Sequence, residues 1–247
     1  MNIRQYVFRK NMAKNIFTSF NMANVEKIMH INSVNSTNFN GIHVATLSNK
    51  ANNSVFDLNV YKIVPSDKPF LDIMQDNIHL GVLTKGISRD GLEKWHTIIK
   101  RAVDMSVSPM RSVHLLAKDK KPCGIVACSN SYGNYKIDYI ATWPVKSNEK
   151  VPLAGKALFR VVFDDFLKSG LLRIDMDAIK DGPYDCIAKY MRLGFKSMGG
   201  GNFIEKMRAT SEDVKKSVSM LDNLLIFKKT GETKDLNLFS VLKASER

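Results

Sequence analysis

Nowhere in its 247 residues does this chain carry an apolar run approaching the ~20 residues a membrane-spanning helix needs, so a soluble protein is expected. Cysteine is scarce. Cys123, Cys128 and Cys186 show no metal-ligand spacing, and their odd number argues against a disulfide framework and for a reducing compartment. Buried, inert thiols are the simplest reading of all three. Acidic residues are few beside basic ones, 24 against 37, which leaves a net charge of +13. Such a surface suits nucleic acid, an anionic membrane face or an anionic ligand such as a nucleotide. A compositional bias toward Lys and Asn explains it equally well, and the basic residues are scattered rather than gathered into one block. There is no internal repeat, no Gly-Lys-Ser/Thr ending of a Walker loop and no complete Gly-x-Gly-x-x-Gly.

The first 54 residues are expected to form a partly flexible extension. Met1 to His30 mixes basic and apolar residues, and Ile31 to Asn53 is Asn- and Ser-rich, a composition too poor in large apolar groups to offset its ordering entropy. The acid-poor N-terminus resembles a targeting segment but lacks the apolar stretch of a secretory signal. A folded domain is expected over residues 55–229, with a C-terminal tail over 230–247. Its location is read as cytoplasmic, a secreted effector being the weaker alternative.

Within the domain, Phe56–Val64 alternates as a strand and stops at Pro65, and Ser66 or Asp67 can cap a helix through Phe70 and Met74. Ser88 can start a longer helix whose Leu92, Trp95, Ile98, Ile99, Ala102 and Met105 share a face, with His96 off that stripe. Ser112–Lys118 and Cys123–Cys128 flank a tight polar turn and read as an antiparallel hairpin. A third strand, Lys136–Trp143, is stopped by Pro144. Helix Gly155–Lys168, strand Leu171–Ala178 and helix Asp185–Leu193 follow, and such a return makes the neighbouring strands parallel. Phe195–Met207 reads as one strand interrupted by Gly199–Gly201, then come a short helix from Ser211 and a last strand near Leu224–Lys228.

The most informative stretch is Tyr135–Phe195. A helix start gathers orphan N–H groups and the positive end of a macrodipole, so it attracts phosphate. Ala154, Gly155 and Ala157 carry almost no side chain, so their amides, with that of Lys156, can approach a pyrophosphate closely. Trp143-Pro144, then Pro152-x-x-Gly155-x-Ala157, then Tyr190-Met-Arg-Leu-Gly-Phe195 together resemble the GNAT superfamily of acyl-CoA-dependent N-acyltransferases. The element order is similar over about residues 55–229. Two features depart from the family's pattern: Pro152 stands where Gln or Arg is usual, and the loop between Pro144 and Gly155 is long. That loop carries Lys146, Glu149 and Lys150, which either replace the lost contact or form a solvated surface.

The resemblance implies a mixed, mostly antiparallel α/β sheet flanked by helices, with a central parallel strand pair. It implies an acetyl-CoA (or other acyl-CoA) co-substrate, no metal, and direct attack of an amine on the thioester. Tyr190 stands where the family's general acid does. Backbone groups of Ile140, Ala141 and Thr142 would polarise the acyl carbonyl at a strand bulge. The base stays open among Asp138, Asp175, Asp177 and an ordered water, Asp138 being the one chosen, and Trp143 either lines the acceptor side or, as a large aromatic at a strand end more often does, belongs to the core. The acceptor is a protein, a small amine or aminoacyl-tRNA, the basic surface favouring an anionic partner. The alternatives are a catalytically degenerate module of the same fold that binds nucleic acid or a protein partner, and a nucleotide-dependent transferase.

Overall fold

A computed structural model describes residues 39–50, 57–81, 89–131, 133–145, 150–180 and 185–234. The expectations for residues 1–38 and 235–247, and for Ser88, Lys146 and Glu149, lie outside the described residues. Nine strands form one sheet: β1 (Ile42–Asn49), β2 (Asp57–Lys62), β3 (Arg111–Lys118), β4 (Lys121–Ser131), β5 (Asn134–Thr142), β6 (Arg173–Ile179), β7 (Lys196–Gly200), β8 (Ile204–Thr210) and β9 (Leu225–Lys234). Their order across the sheet is β7-β8-β6-β5-β4-β3-β2-β1-β9. Every neighbouring pair is antiparallel except β5 and β6. This is the GNAT-like mixed sheet with a central parallel pair that the resemblance implied. Five α-helices accompany it among the described residues: α1 (Lys68–Gly81), α2 (Arg89–Asp104), α3 (Ala154–Lys168), α4 (Cys186–Met191) and α5 (Ser211–Asp222).

The sheet's middle is covered on both sides, which consecutive rather than alternating burial records: Val113–Ala117 on β3 and Cys123–Ser129 on β4 are buried without a break. On α3 the buried residues run almost around the helix, from Ala157, Leu158 and Phe159 to Val162, Phe163 and Phe166, because α5 packs on it as well as the sheet. On α2, Trp95, Ile99, Ala102 and Val103 are buried and Leu92, Ile98 and Met105 pack against the core, as the helical spacing predicts. His96, read as a surface residue, is half-buried.

Two boundaries differ from the sequence reading. The sheet starts at Ile42, inside the segment taken as an extension, and β9 reaches Lys234, inside the expected tail. The two strands pair with each other, Ile42 opposite Lys234 and Asn49 opposite Leu225, so β9 is held by β1, which pairs on its other side with β2. Phe195–Met207 is also not one interrupted strand. Gly199 adopts φ 81° and the chain reverses, so that β7 and β8 pair antiparallel as a hairpin. A Cβ on Gly200 would stand 2.1 Å from the Ile204 carbonyl oxygen, which is why no larger residue fits that turn. Asp67 does not cap α1. It is wholly buried and accepts the N–H groups of Val64 and Asn40, at 3.0 and 2.5 Å.

Candidate active site

The parallel ladder between β5 and β6 is short. It joins Tyr135 to Ile174, Lys136 to Asp175 and Ile137 to Met176, and there it stops, although β5 continues to Thr142 and β6 to Ile179. The strands splay. A local irregularity on β5 begins the divergence: Ile137 faces Cys128 and Tyr139 faces Ala127, so Asp138 is an extra residue, a β-bulge that bends the strand. The bulge thus sits at Asp138 rather than at the expected 140–142. Beyond it, Trp143 N–H donates to the Cys123 carbonyl at 2.9 Å. Antiparallel alternation then turns Ala141 toward β4 as well, and turns the N–H and C=O groups of Ile140 and Thr142 toward the open side. The Thr142 carbonyl is taken by the Trp95 indole N–H at 3.0 Å, which fastens α2 over the splay. Of the three expected backbone groups, only Ile140 is therefore left facing the gap with both its N–H and its carbonyl.

A cavity of about 530 Å³ opens at this point between α2, β5, β6, α4 and the start of β8. Its apolar wall includes Ile98, Ile140, Ile179 and Ile204, and its charged groups are Asp90, Glu93, Lys94, Arg101, Lys136, Asp138 and Asp177. Asp138 lies here as expected and accepts from Arg111 Nη1 at 2.9 Å, with little of its side chain exposed. Asp177 also lines the cavity, paired with Lys136 at 2.7 Å. Asp175 does not; both of its oxygens are held by Arg208, at 2.7 and 3.0 Å. Trp143 is buried core and lies away from the cavity; the tryptophan on the cavity wall is Trp95. The family resemblance places acceptor pockets on the first helices, but the sequence named no residue of α2 for the site; the polar stripe beside Trp95 was the signal that could have revealed them.

Tyr190 lines the cavity from α4. Its ring packs on Phe159 and Phe195, with centroids 5.4 and 6.5 Å away. Burial, reinforced by the neighbouring Cys186, holds its hydroxyl well above the ordinary phenol pKa, so it is protonated at neutral pH. Helix α4 stops immediately after it by a Schellman arrangement: Phe195 N–H reaches the Tyr190 carbonyl at 3.1 Å and Gly194 N–H the Met191 carbonyl at 3.1 Å, with Gly194 at φ 84°. The Leu-Gly-Phe ending is thus a helix stop that buries Phe195 against Phe159 and Phe163 and so fixes Tyr190.

The start of α3 lies at the C-terminal ends of the parallel strands, because a crossover helix runs antiparallel to the strands it joins. Leu153 enters it in a left-handed conformation, φ 63°, at a cost of roughly 1–2 kcal/mol for a branched residue, and its carbonyl accepts the Ala157 N–H at 2.8 Å. Ala157 is therefore used within the helix, and Ala154 is buried. Helix geometry leaves the N–H groups of Gly155 and Lys156 without an intrahelical acceptor. A Cβ on Gly155 would meet nothing within 4 Å, so a ligand can approach that amide directly. Pro152 is exposed, as is Lys150, whose charge reaches Lys189 on α4; burial first, and that charge also, lower the Lys189 pKa. Among the described residues no group of three or more His, Cys, Asp or Glu side chains could hold a metal ion, and no helix is long and apolar enough to cross a membrane.

A splayed parallel pair with a helix start at its open end defines a GNAT-like architecture. No family model and no curated protein matches the sequence. Among solved structures the chain is similar to apo FdhC, described as a nucleotide-linked sugar GNAT, at 12% identity and TM-score 0.48 over 76% of this chain and 98% of that one. It is similar to an aminoglycoside 6′-acetyltransferase type Ii at 15% identity and TM-score 0.47 over 62% and 96%. It is also similar to the PaiA N-acetyltransferase from Thermoplasma acidophilum in complex with coenzyme A, at 13% identity and TM-score 0.45 over 62% and 98%. Each likeness is one of fold.

Proposed function

We propose that this protein is an acyl-CoA-dependent N-acyltransferase, acetyl-CoA being the simplest donor. The observation that carries this is the splay itself: the β5–β6 ladder ends at Ile137 and Met176 while both strands run on, the Tyr190 cavity opens beside them, and the crossover topology starts α3 at the same end of the strands. In this reading Gly155 and Lys156 N–H groups take the pyrophosphate of the donor, supported by the helix dipole. The Ile140 N–H donates to the thioester carbonyl and stabilises the oxyanion that forms there. Asp138, paired with Arg111, takes the proton of the incoming amine, directly or through one water. Tyr190 gives its proton to the sulfur as the C–S bond breaks.

The acceptor is an amine that enters between α2 and the β7–β8 hairpin. Calorimetric titration with acetyl-CoA tests the donor site: micromolar binding is expected, and no binding by the wild-type protein rejects the proposal. Given binding, Tyr190→Phe should lower kcat for CoA release by about 100- to 10,000-fold, the usual range for a general acid, and leave KM for acetyl-CoA within about twofold.

A further inference from the structure

A phenol that donates its proton leaves a phenolate, and Tyr190 would leave it among Phe159, Phe195 and the core beneath α4. That environment disfavours the charged form, so a buried Tyr190 alone is a reluctant acid. One polar neighbour is present. Cys186 lies one helical turn earlier on the same face of α4, its sulfur placed to interact with the Tyr190 hydroxyl. Both side chains line the cavity, and Cys186 is a free, buried thiol with no part in the chemistry described above.

We propose that Cys186 is a positioning and proton-relay residue for Tyr190 in the acyl transfer put forward above, the reading on which this inference rests. Before the donor binds, the Cys186 sulfur holds the phenolic O–H in the cavity wall, as a CoA sulfur will hold it later. When the tetrahedral intermediate collapses, the C–S bond breaks and its electron pair goes to the CoA sulfur. The Tyr190 proton passes to that sulfur and forms the CoA thiol. The Cys186 S–H then turns to the phenolic oxygen and refills it, leaving a Cys186 thiolate that solvent reprotonates through the cavity mouth. The net exchange is thiol for thiolate, uphill by what burial costs the Cys186 thiolate, and it avoids a lasting buried phenolate. Burial raises both groups, but a thiol starts from about 8.5 and a phenol from about 10, so Cys186 is the readier donor of the pair.

The other two cysteines are internal controls. Burial pushes Cys123 up to about 12 and Cys128 higher still, and neither lines the cavity. Alkylation of the full-length protein by iodoacetamide, read cysteine by cysteine by mass spectrometry between pH 7 and 10, tests the pair without turnover. Cys186 should react first, and Tyr190→Phe should slow it at least threefold and move its pH profile upward, because the thiolate loses its donor. Equal rates and profiles in the two proteins overturn the proposal. Saturating acetyl-CoA should protect Cys186 about tenfold. Lack of protection with the Tyr190 effect intact rejects the acyl-CoA reading, and the relay with it; protection without a Tyr190 effect rejects the relay alone. In CoA release from acetyl-CoA, Cys186→Ala should lower kcat about tenfold with KM within twofold, and Cys186→Ser should regain most of the loss. The Cys186→Ala loss should vanish in a Tyr190→Phe background. An equal loss in both backgrounds marks a merely structural cysteine and overturns the inference.

Discussion

Replacing Gly155 by Glu separates anion binding from folding at one position. The glycine is the second residue of α3, and a Cβ there meets nothing within 4 Å, so the new side chain starts into open space. Loss of glycine flexibility in a helix is worth roughly 0.5–1 kcal/mol. A carboxylate in a first turn adds about 0.3–1 kcal/mol through the macrodipole. The thermal midpoint should therefore hold or rise. Acetyl-CoA faces the opposite balance. A carboxylate about 6 Å from a phosphate, at an effective dielectric near 20, repels it by roughly 3 kcal/mol per charge pair. That alone weakens binding on the order of a hundredfold. Gly155→Ala should keep the affinity and gain the helix term. Calorimetric titration beside differential scanning calorimetry reads both quantities on the same samples. Unchanged affinity in Gly155→Glu would show that no anion is held at this helix start; a lowered midpoint together with lost binding would show that the space around Gly155 is not open.

Three further outcomes follow from the packing. Asp67→Ala strands the Val64 and Asn40 amides in a buried place and should cost about 2–4 kcal/mol in urea unfolding, whereas Asp67→Asn, which keeps one acceptor, should cost less. Arg160→Met removes the fork that reaches Asp222 at 2.6 and 3.3 Å and the contact with the Phe227 ring at 4.2 Å; about 1–3 kcal/mol should be lost, and Arg160→Lys should not restore it. His114 on β3 has its pKa lowered, by burial above all, with Asp165 at 3.6 Å opposing. A depressed histidine contributes stability that is complete above its unfolded value of about 6.5 and is lost as pH falls through the folded value. Thermal midpoints measured from pH 7.5 to 5 should therefore decline more steeply in the wild type than in His114→Gln; parallel curves would show that His114 does not titrate in this window.

The parts of the fold legible in the sequence are those set by local signals. The β3–β4 hairpin announced itself through a short polar turn, in which Asp119 and Lys120 take φ 50° and 62°, the mirror-type geometry that fits twisted strands. Helix α3 and the parallel return through β6 were readable from apolar spacing and the Ser169-Gly170 stop. Strand β1 was not, because Ile42–Asn49 sits in polar sequence and is stabilised by β9, almost two hundred residues later. The candidate site divides in the same way. Gly155, Tyr190 and Asp138 lie on a continuous stretch whose order carries the pattern. Trp95, Glu93 and Arg101 reach the cavity only because α2 is laid across β5, and the indole bond to the Thr142 carbonyl that holds it there spans 47 positions. The displaced bulge has a similar origin: one extra residue is a matter of register against β4, which alternation within β5 alone does not record.

Ile42 and Lys234, paired across β1 and β9, also say something about how the gene for such a fold could be cut. The first and last strands among the described residues are neighbours, so the order of those strands in space is indifferent to where the polypeptide is opened. Joining the chain at that edge and reopening it at the exposed Asp119–Lys120 turn would leave every ladder with the same partner. The join would lie four to five strand spacings from β5, about 19 to 24 Å from the splay. A split reporter or a permuted fusion built on this scaffold would thus carry its seam well away from the cavity.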